Sequence, residues 1–342
     1  MKRFKGYQRG INLGGWFSQC PHTEEHYDSF LSENDIAVIA DWGLDHIRLP
    51  IDYELLETES GKYNEHGFSR IAEVADWCEK YGLNLIIDLH KTAGYSFDEG
   101  HGESGLFESE ALQKRFYRLW EEIAKRFGSL YERAAFELLN EVTDRAFSEK
   151  WNEIAKTCVR RIRVFAPDMQ ILLGGYWNNA IVALPDLPLP FDDKIVYNFH
   201  CYEPILFTHQ GAQWIKNMPA DLRIGFPGNA DEYRQIMNQL QLPVGDIFKM
   251  AKNAETADYE LFDNLFSNAA ALAEQRGAAL YCGEYGVIDR AACADTAAWY
   301  HAIHQAFEKY GIGRAAWSYK GMDFGISDAK EPELCEKIVS LL

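Results

Sequence analysis

Eight short runs of β-branched and aliphatic residues recur along the 342-residue chain, separated by longer amphipathic stretches. This alternation restricts the fold more than any other feature, because it is the pattern of repeated strand–helix units around a parallel sheet. The runs are RGINLGGW (9–16), DHIRLP (45–50), LNLIIDLH (83–90), AAFELLNE (134–141), MQILLGG (169–175), KIVYNFHCY (194–202), AALYCGEYG (278–286) and GRAAWSYKG (313–321). Between them the spacing predicts helices. In 69–82, Ile71, Val74, Ala75 and Cys78 share a face and Gly82 supplies a stop; similar patterns cover 110–127, 148–165, 258–276 and 295–310. Eight units of this kind predict a (β/α)8 barrel. An open doubly wound sheet would carry a glycine-rich phosphate turn after its first strand, and the sequence contains no G-x-G-x-x-G. The interval between the sixth and seventh runs is about twice the others, so 203–257 is expected to be an extended loop region with short helices. No composition shift marks a boundary, and a single domain over 1–342 is the expectation.

Charge excludes some partners. With 52 acidic against 34 basic residues and a net charge of −18, the chain has no basic footprint for nucleic acid or for anionic membrane surfaces. The basic start, MKRFKGYQRG, leads into no apolar run of a secretory signal, and no span of about 18 apolar residues follows elsewhere. Seven cysteines, odd in number and never spaced C-x-x-C, predict free and mostly buried thiols in a reducing compartment. A cytoplasmic monomer with no cofactor and no metal is expected.

In a barrel the chemistry gathers where strands end. The last residues of the runs are Asn12 and Trp16, Arg48, Asp88 and His90, Asn140 and Glu141, Gly174 and Gly175, His200 and Tyr202, Glu284 and Tyr285, and Trp317. Glu141 and Glu284, on the fourth and seventh runs, would face each other across the mouth. Paired carboxylates are what glycoside hydrolysis needs, one to protonate the leaving oxygen and one to attack or to activate water. Arg48 and Tyr202 can hold one carboxylate ionised, while the other, facing that charge in a partly dry site, keeps its proton. Sugar rings have apolar faces and polar rims, so aromatic platforms beside Asn and His suit them. Trp317 is the first candidate platform; Trp16, Trp177, Trp214, Phe97 and Phe207 lie in mouth-side loops and would extend the cleft or fill loop cores.

These segments resemble glycoside hydrolase family 5, the cellulase-like retaining glycosidases, in RGINLGGW, HIRLP, IIDLH, LLNE, NFHCYEP, CGEYGV and WSYK, in the same order over nearly the whole chain. The resemblance implies Glu141 as acid/base and Glu284 as nucleophile, about 5–5.5 Å apart, acting by double displacement with retention. It implies Arg48 and Tyr202 as supports of the nucleophile, and Asn140 as the contact to the sugar 2-hydroxyl. It further implies His90 and His200 as polar contacts, His200 also touching the acid/base, and Trp317 as the floor beneath the sugar. The implied substrate is a β-linked glucan, cut as by an endo-β-1,4-glucanase. The alternative is exo-acting β-glucanase or β-glucosidase action on short oligosaccharides. The sequence departs from well-known cellulases at KTAGYSFDEGHGESGLF (91–107) and FTHQGAQW (207–214), where subsites are shaped.

Two rivals come from other classes. HTEEH (22–26) has the H-x-x-E-H form of a zinc protease, with His22 and His26 as ligands, but Pro21 precedes it in a loop. A non-catalytic carbohydrate-binding barrel would lack one glutamate. Among the remaining histidines, His101 and His209 in mouth-side loops are the most open to a role.

Overall fold

A computed structural model of the chain describes residues 1–98, 105–242, 247–251 and 254–342. The eight runs form eight parallel strands: β1 (Arg9–Asn12), β2 (His46–Asp52), β3 (Asn84–Lys91), β4 (Ala134–Glu137), β5 (Gln170–Leu173), β6 (Ile195–Cys201), β7 (Ala279–Tyr285) and β8 (Gly313–Ala316). Each pairs with its sequence neighbours and β1 closes on β8, giving the barrel. The flanking helices are α1 (Glu33–Asp41), α2 (Glu65–Tyr81), α3 (Glu110–Phe127), α4 (Ser148–Ile162), α5 (Tyr259–Arg276), α6 (Cys293–Tyr310) and α7 (Pro332–Val339). α2 ends where Gly82 takes a left-handed conformation, as the stop at Gly82 requires. Between β5 and β6 only short turns, Tyr176–Asn179 and Ile181–Asp186, make the crossover. The region after β6 holds the short helix Ile205–Thr208, a helix Ala230–Leu240, and an antiparallel pair of two-residue strands, Gly228–Asn229 with Thr256–Ala257, that sequence patterning does not reveal.

Alternation along the strands stacks the interior in layers. The floor is apolar: Ile86, Ala135, Leu172, Val196, Tyr281 and Ala315 meet Phe4 and Tyr7 from the N-terminal segment. Two residues further on, the same strands carry Arg48, Asp88, Glu137 and Asn198, all buried. Two further still, β3 and β6 reach His90 and His200. β3 and β6 therefore pass from apolar floor to polar mouth in about five residues.

β7 breaks this count. Tyr281 points into the floor, where its hydroxyl meets His46 Nε2 at 2.7 Å. Strict alternation would then turn Glu284, three residues on, outward to the helices. The ladder skips Gly283 instead: Phe199 pairs with Cys282 and His200 with Glu284. This bulge restores the inward direction of Glu284. Only glycine fits there, because a Cβ on Gly283 would lie 2.8 Å from Asn198 Oδ1 and 3.1 Å from His200 Nε2.

Four of the cysteines (Cys78, Cys158, Cys201 and Cys282) are buried and all seven are free, as the spacing predicts. No helix among the described residues is long and apolar enough to cross a membrane.

Candidate active site

Arg48, fully buried on β2, organises the mouth. Its Nε and Nη2 reach both oxygens of Glu137 at 2.7 and 2.8 Å; Nη1 donates to Asn12 Oδ1 at 2.9 Å and Glu284 Oε1 at 2.8 Å; Nη2 also meets Asn140 Oδ1 at 2.9 Å and Asp88 Oδ2 at 3.0 Å. A guanidinium has five N–H donors in a planar fork, and here all are engaged. The carboxylates around it are not equivalent. Burial pushes Asp88 up to about 7, against the pull of Arg48, and burial also raises Glu137. Glu284 receives a second donor, the Tyr202 hydroxyl, on Oε2 at 3.0 Å.

Glu141 has a different environment. Regular β4 ends at Glu137, four residues before the run AAFELLNE does; Leu138 N and Asn140 N still donate to Leu172 O at 3.4 Å and Leu89 O at 3.1 Å, and Asn140 and Glu141 both reach the mouth. Glu141 Oε1 meets His200 Nδ1 at 2.8 Å, and Oε2 accepts from Asn178 Nδ2 at 2.7 Å. Burial pushes its carboxyl up to about 7, only partly countered by the Asn178 hydrogen bond. Burial also pushes His200 down to about 4, so its ring is neutral at neutral pH. The Asn179 amide nitrogen sits 3.3 Å from His200 Nε2, which assigns Nε2 as acceptor and Nδ1–H as the donor to Glu141. One oxygen of Glu141 and one of Glu284 lie within 4.8 Å of each other.

Asn178 and Asn179 come from an unusual turn. Trp177, Asn178 and Asn179 have φ of 50°, 58° and 55°, three consecutive non-glycine residues in the left-handed region. Asparagine tolerates this region and tryptophan does not, at about 1–2 kcal/mol for an unfavourable residue. Gly174 makes room beneath: a Cβ there would lie 2.1 Å from Asn179 Oδ1.

The apolar side is built around Trp317. The His90 ring lies parallel to it at 5.7 Å with 3° between planes, while Phe97 meets His90 edge-on at 4.9 Å. His90 Nδ1 is tied to Asp88 Oδ2 at 2.6 Å. Below, Trp317 packs on Ala212, Ile288 and Phe324, so the region after β6 supports the floor.

A family model, Cellulase (glycosyl hydrolase family 5), matches residues 8–323. The chain belongs to glycoside hydrolase family 5. Cellodextrinase A of Ruminococcus flavefaciens is 48% identical over 314 residues, covering 92% of this chain and 86% of that protein. Endoglucanase C of Acetivibrio thermocellus is 38% identical over 340 residues, 98% of each chain. Among solved structures, a cellulose synthase subunit Z from Clostridioides difficile superposes with a TM-score of 0.77 at 25% identity, covering 98% of this chain and 99% of that one. The protein is thus a retaining glycoside hydrolase acting on β-glucan.

On this family 5 barrel, Arg48, His90, Asn140, Glu141, His200, Tyr202, Glu284 and Trp317 all meet at one mouth. The outer aromatics divide. Trp177 and Trp214 are 50% and 48% exposed, whereas Trp16, 2% exposed, hydrogen-bonds Tyr27 O and stacks on Phe17, and Phe207 is fully buried. The last two are loop core. His209 rests against Tyr202 and Phe324, while His101 lies outside the described residues. The zinc pattern comes apart because Thr23 caps the helix Glu24–Ser29, leaving His22 outside it. His22 turns to Asp52 Oδ2 at 3.2 Å and Tyr27 Oη at 2.8 Å, His26 to Gly15 O at 2.8 Å. Burial opposes a charge on His22, but the Asp52 bond wins and pushes it up to about 10. Reading strand ends alone missed Glu137, one layer down, and Asn178 and Asn179, whose only sequence signal is an Asn pair after Gly-Gly.

Proposed function

We propose that the protein is an endo-β-1,4-glucanase that also accepts short cello-oligosaccharides, with Glu141 as general acid/base and Glu284 as nucleophile. The observation that carries this assignment is the asymmetry of donors. Glu284 accepts hydrogen bonds from a guanidinium and a phenol, and Glu141 is held by neutral groups in a buried setting that favours its acid form near neutral pH. One oxygen of each carboxyl lies within 4.8 Å of the other, a short separation that goes with direct attack by a carboxylate rather than with a water activated between two distant carboxyls.

In the first step a Glu284 oxygen bonds to the anomeric carbon, the bond to the leaving oxygen breaks, and the Glu141 proton passes to that oxygen. In the second, a water oxygen bonds to the anomeric carbon, the ester electrons return to Glu284, and the water's proton passes to Glu141. Asn140, fixed by Arg48, is placed to meet the sugar 2-hydroxyl, and Trp317 with His90 offers a flat apolar surface to the ring. The relatives' names support the substrate: one is a cellodextrinase and one an endoglucanase.

The test is product analysis on cellohexaose and on soluble cellulose, with the anomer of the first product followed by NMR. Mixed lengths in the β-configuration are expected. Cellobiose or glucose as the sole early product would replace the endo assignment by the exo one, and a first product in the α-configuration would overturn the mechanism.

A further inference from the structure

The family chemistry needs an acid that becomes a base within one cycle, yet among the described residues no cation touches Glu141 to stabilise its charged form. Among the described residues its polar side-chain partners are His200 on Oε1 and Asn178 on Oε2. Asn178 makes a second bond to the same stretch of chain, its backbone N–H donating to Val142 O at 3.0 Å. One residue therefore grips both the carboxyl of Glu141 and the peptide immediately after it. Asn178 is also exposed, next to exposed Trp177, so its amide borders the open cleft. The left-handed turn makes this possible: successive residues in that conformation send Asn178 to Glu141 and Asn179 to His200, so both partners of the acid are set by one backbone feature. Strained backbone of this kind persists where the surroundings over-determine it, and here they include Gly174 and the Val142 bond.

We propose that Asn178 is a positioning residue that prepares Glu141 for the second half-reaction: its amide donates to Oε2 and stabilises the carboxylate that must accept the proton of the attacking water. This rests on Glu141 being the acid/base. In the first half-reaction the same bond fixes the carboxyl plane while the proton moves to the leaving oxygen. Removing the amide leaves the acid role intact and weakens the base role. The second half-reaction should therefore slow while the first keeps its rate, a split that general damage to the site would not produce.

The test uses Asn178→Gly, which keeps the left-handed backbone and deletes only the amide, and Asn178→Asp, which puts a like charge against Glu141. kcat/KM on cellotetraose should keep its alkaline limb but shift it upward, by about half a unit or more for the glycine variant and further for the aspartate. With 2,4-dinitrophenyl β-cellobioside, whose departure needs no acid, kcat near pH 6 should fall about 3- to 10-fold as the glycosyl-enzyme accumulates, while kcat/KM hardly changes. An alkaline limb that stays in place in both variants, or a rate lost equally at every pH, overturns the assignment. Glu141→Ala separates this failure from a failure of the underlying reading. If its alkaline limb disappears while the Asn178 variants keep theirs unmoved, only the role of Asn178 falls; if the limb survives in Glu141→Ala, the acid/base assignment itself falls.

Discussion

The two sides of the active-site mouth are built by different means. The Glu284 side rests on strands: β1, β2, β3, β4 and β7 all place side chains on Arg48 or its partners, every group is buried, and the donors include a full positive charge. The Glu141 side rests on chain that has left its strand, is held by a turn in a left-handed conformation, and uses only neutral donors. The difference shows how one fold separates two identical functional groups. One carboxyl sits against a guanidinium, and the other lies in a buried, neutral setting that favours a carboxyl changing state near pH 7.

The strongest way to break this comparison is to remove each carboxyl in turn. Glu284→Ala should lower kcat on the order of 10⁴-fold or more for every substrate, since no bond can form to the anomeric carbon. Glu141→Ala should cost about 10²- to 10⁴-fold on cello-oligosaccharides but far less in kcat/KM on aryl glycosides with activated leaving groups. Equal losses across leaving groups in both variants, measured by steady-state kinetics, would mean that the two sides do not divide the labour.

Arg48→Met should affect both function and folding. It leaves Glu137 buried without its bidentate partner, and breaking such a pair costs about 3–5 kcal/mol, readable in denaturant unfolding. A loss of activity with unchanged stability would show that the guanidinium serves only Glu284.

The smallest effect sharpens the Glu141 side. Because Glu141 and Asp88 are raised in the folded state to about 7, the native chain binds more protons than the unfolded one between the ordinary carboxylate range and about 7. These groups therefore contribute stability that is complete at the acid end of that window and lost as pH rises through about 7. Glu141→Gln should flatten this decline in melting temperature, and Asp88→Asn should flatten it independently. A parental slope retained in Glu141→Gln would place the proton elsewhere.

Much of this arrangement was legible in the chain. Six of the eight strands fall inside the aliphatic runs and β2 and β3 overrun theirs by two residues and one; reading where those runs turn polar brings together Arg48, Glu141 and Glu284, since strand ends and barrel mouth coincide by topology. What stayed hidden is local backbone geometry. AAFELLNE continues its apolar pattern past the point where the ladder stops, so periodicity overran β4 by four residues. Glu137 was concealed because a carboxylate inside a strand looks like an outward-facing charge until its partner, 89 residues away, is known. The Gly283 bulge and the Trp177–Asn179 turn depend on single backbone angles that side-chain patterning does not encode. Trp16 stayed undecided for a related reason: an indole near a strand end suits a platform or a loop core equally, and its N–H finds a backbone carbonyl inside.

Arg48 has one consequence for how such an enzyme diversifies. Its donors are all committed, to residues from β1, β3, β7 and the β4 segment, so the setting of Glu284 has no spare capacity. A substitution at any of those positions is felt at once by catalysis and by the closure of the barrel, and selection cannot trade one against the other. Novelty must enter where commitment is light, through the exposed chain after β5 and β6 that carries Trp177 and Trp214. Change of substrate can then proceed by loop replacement while the reaction itself stays inherited.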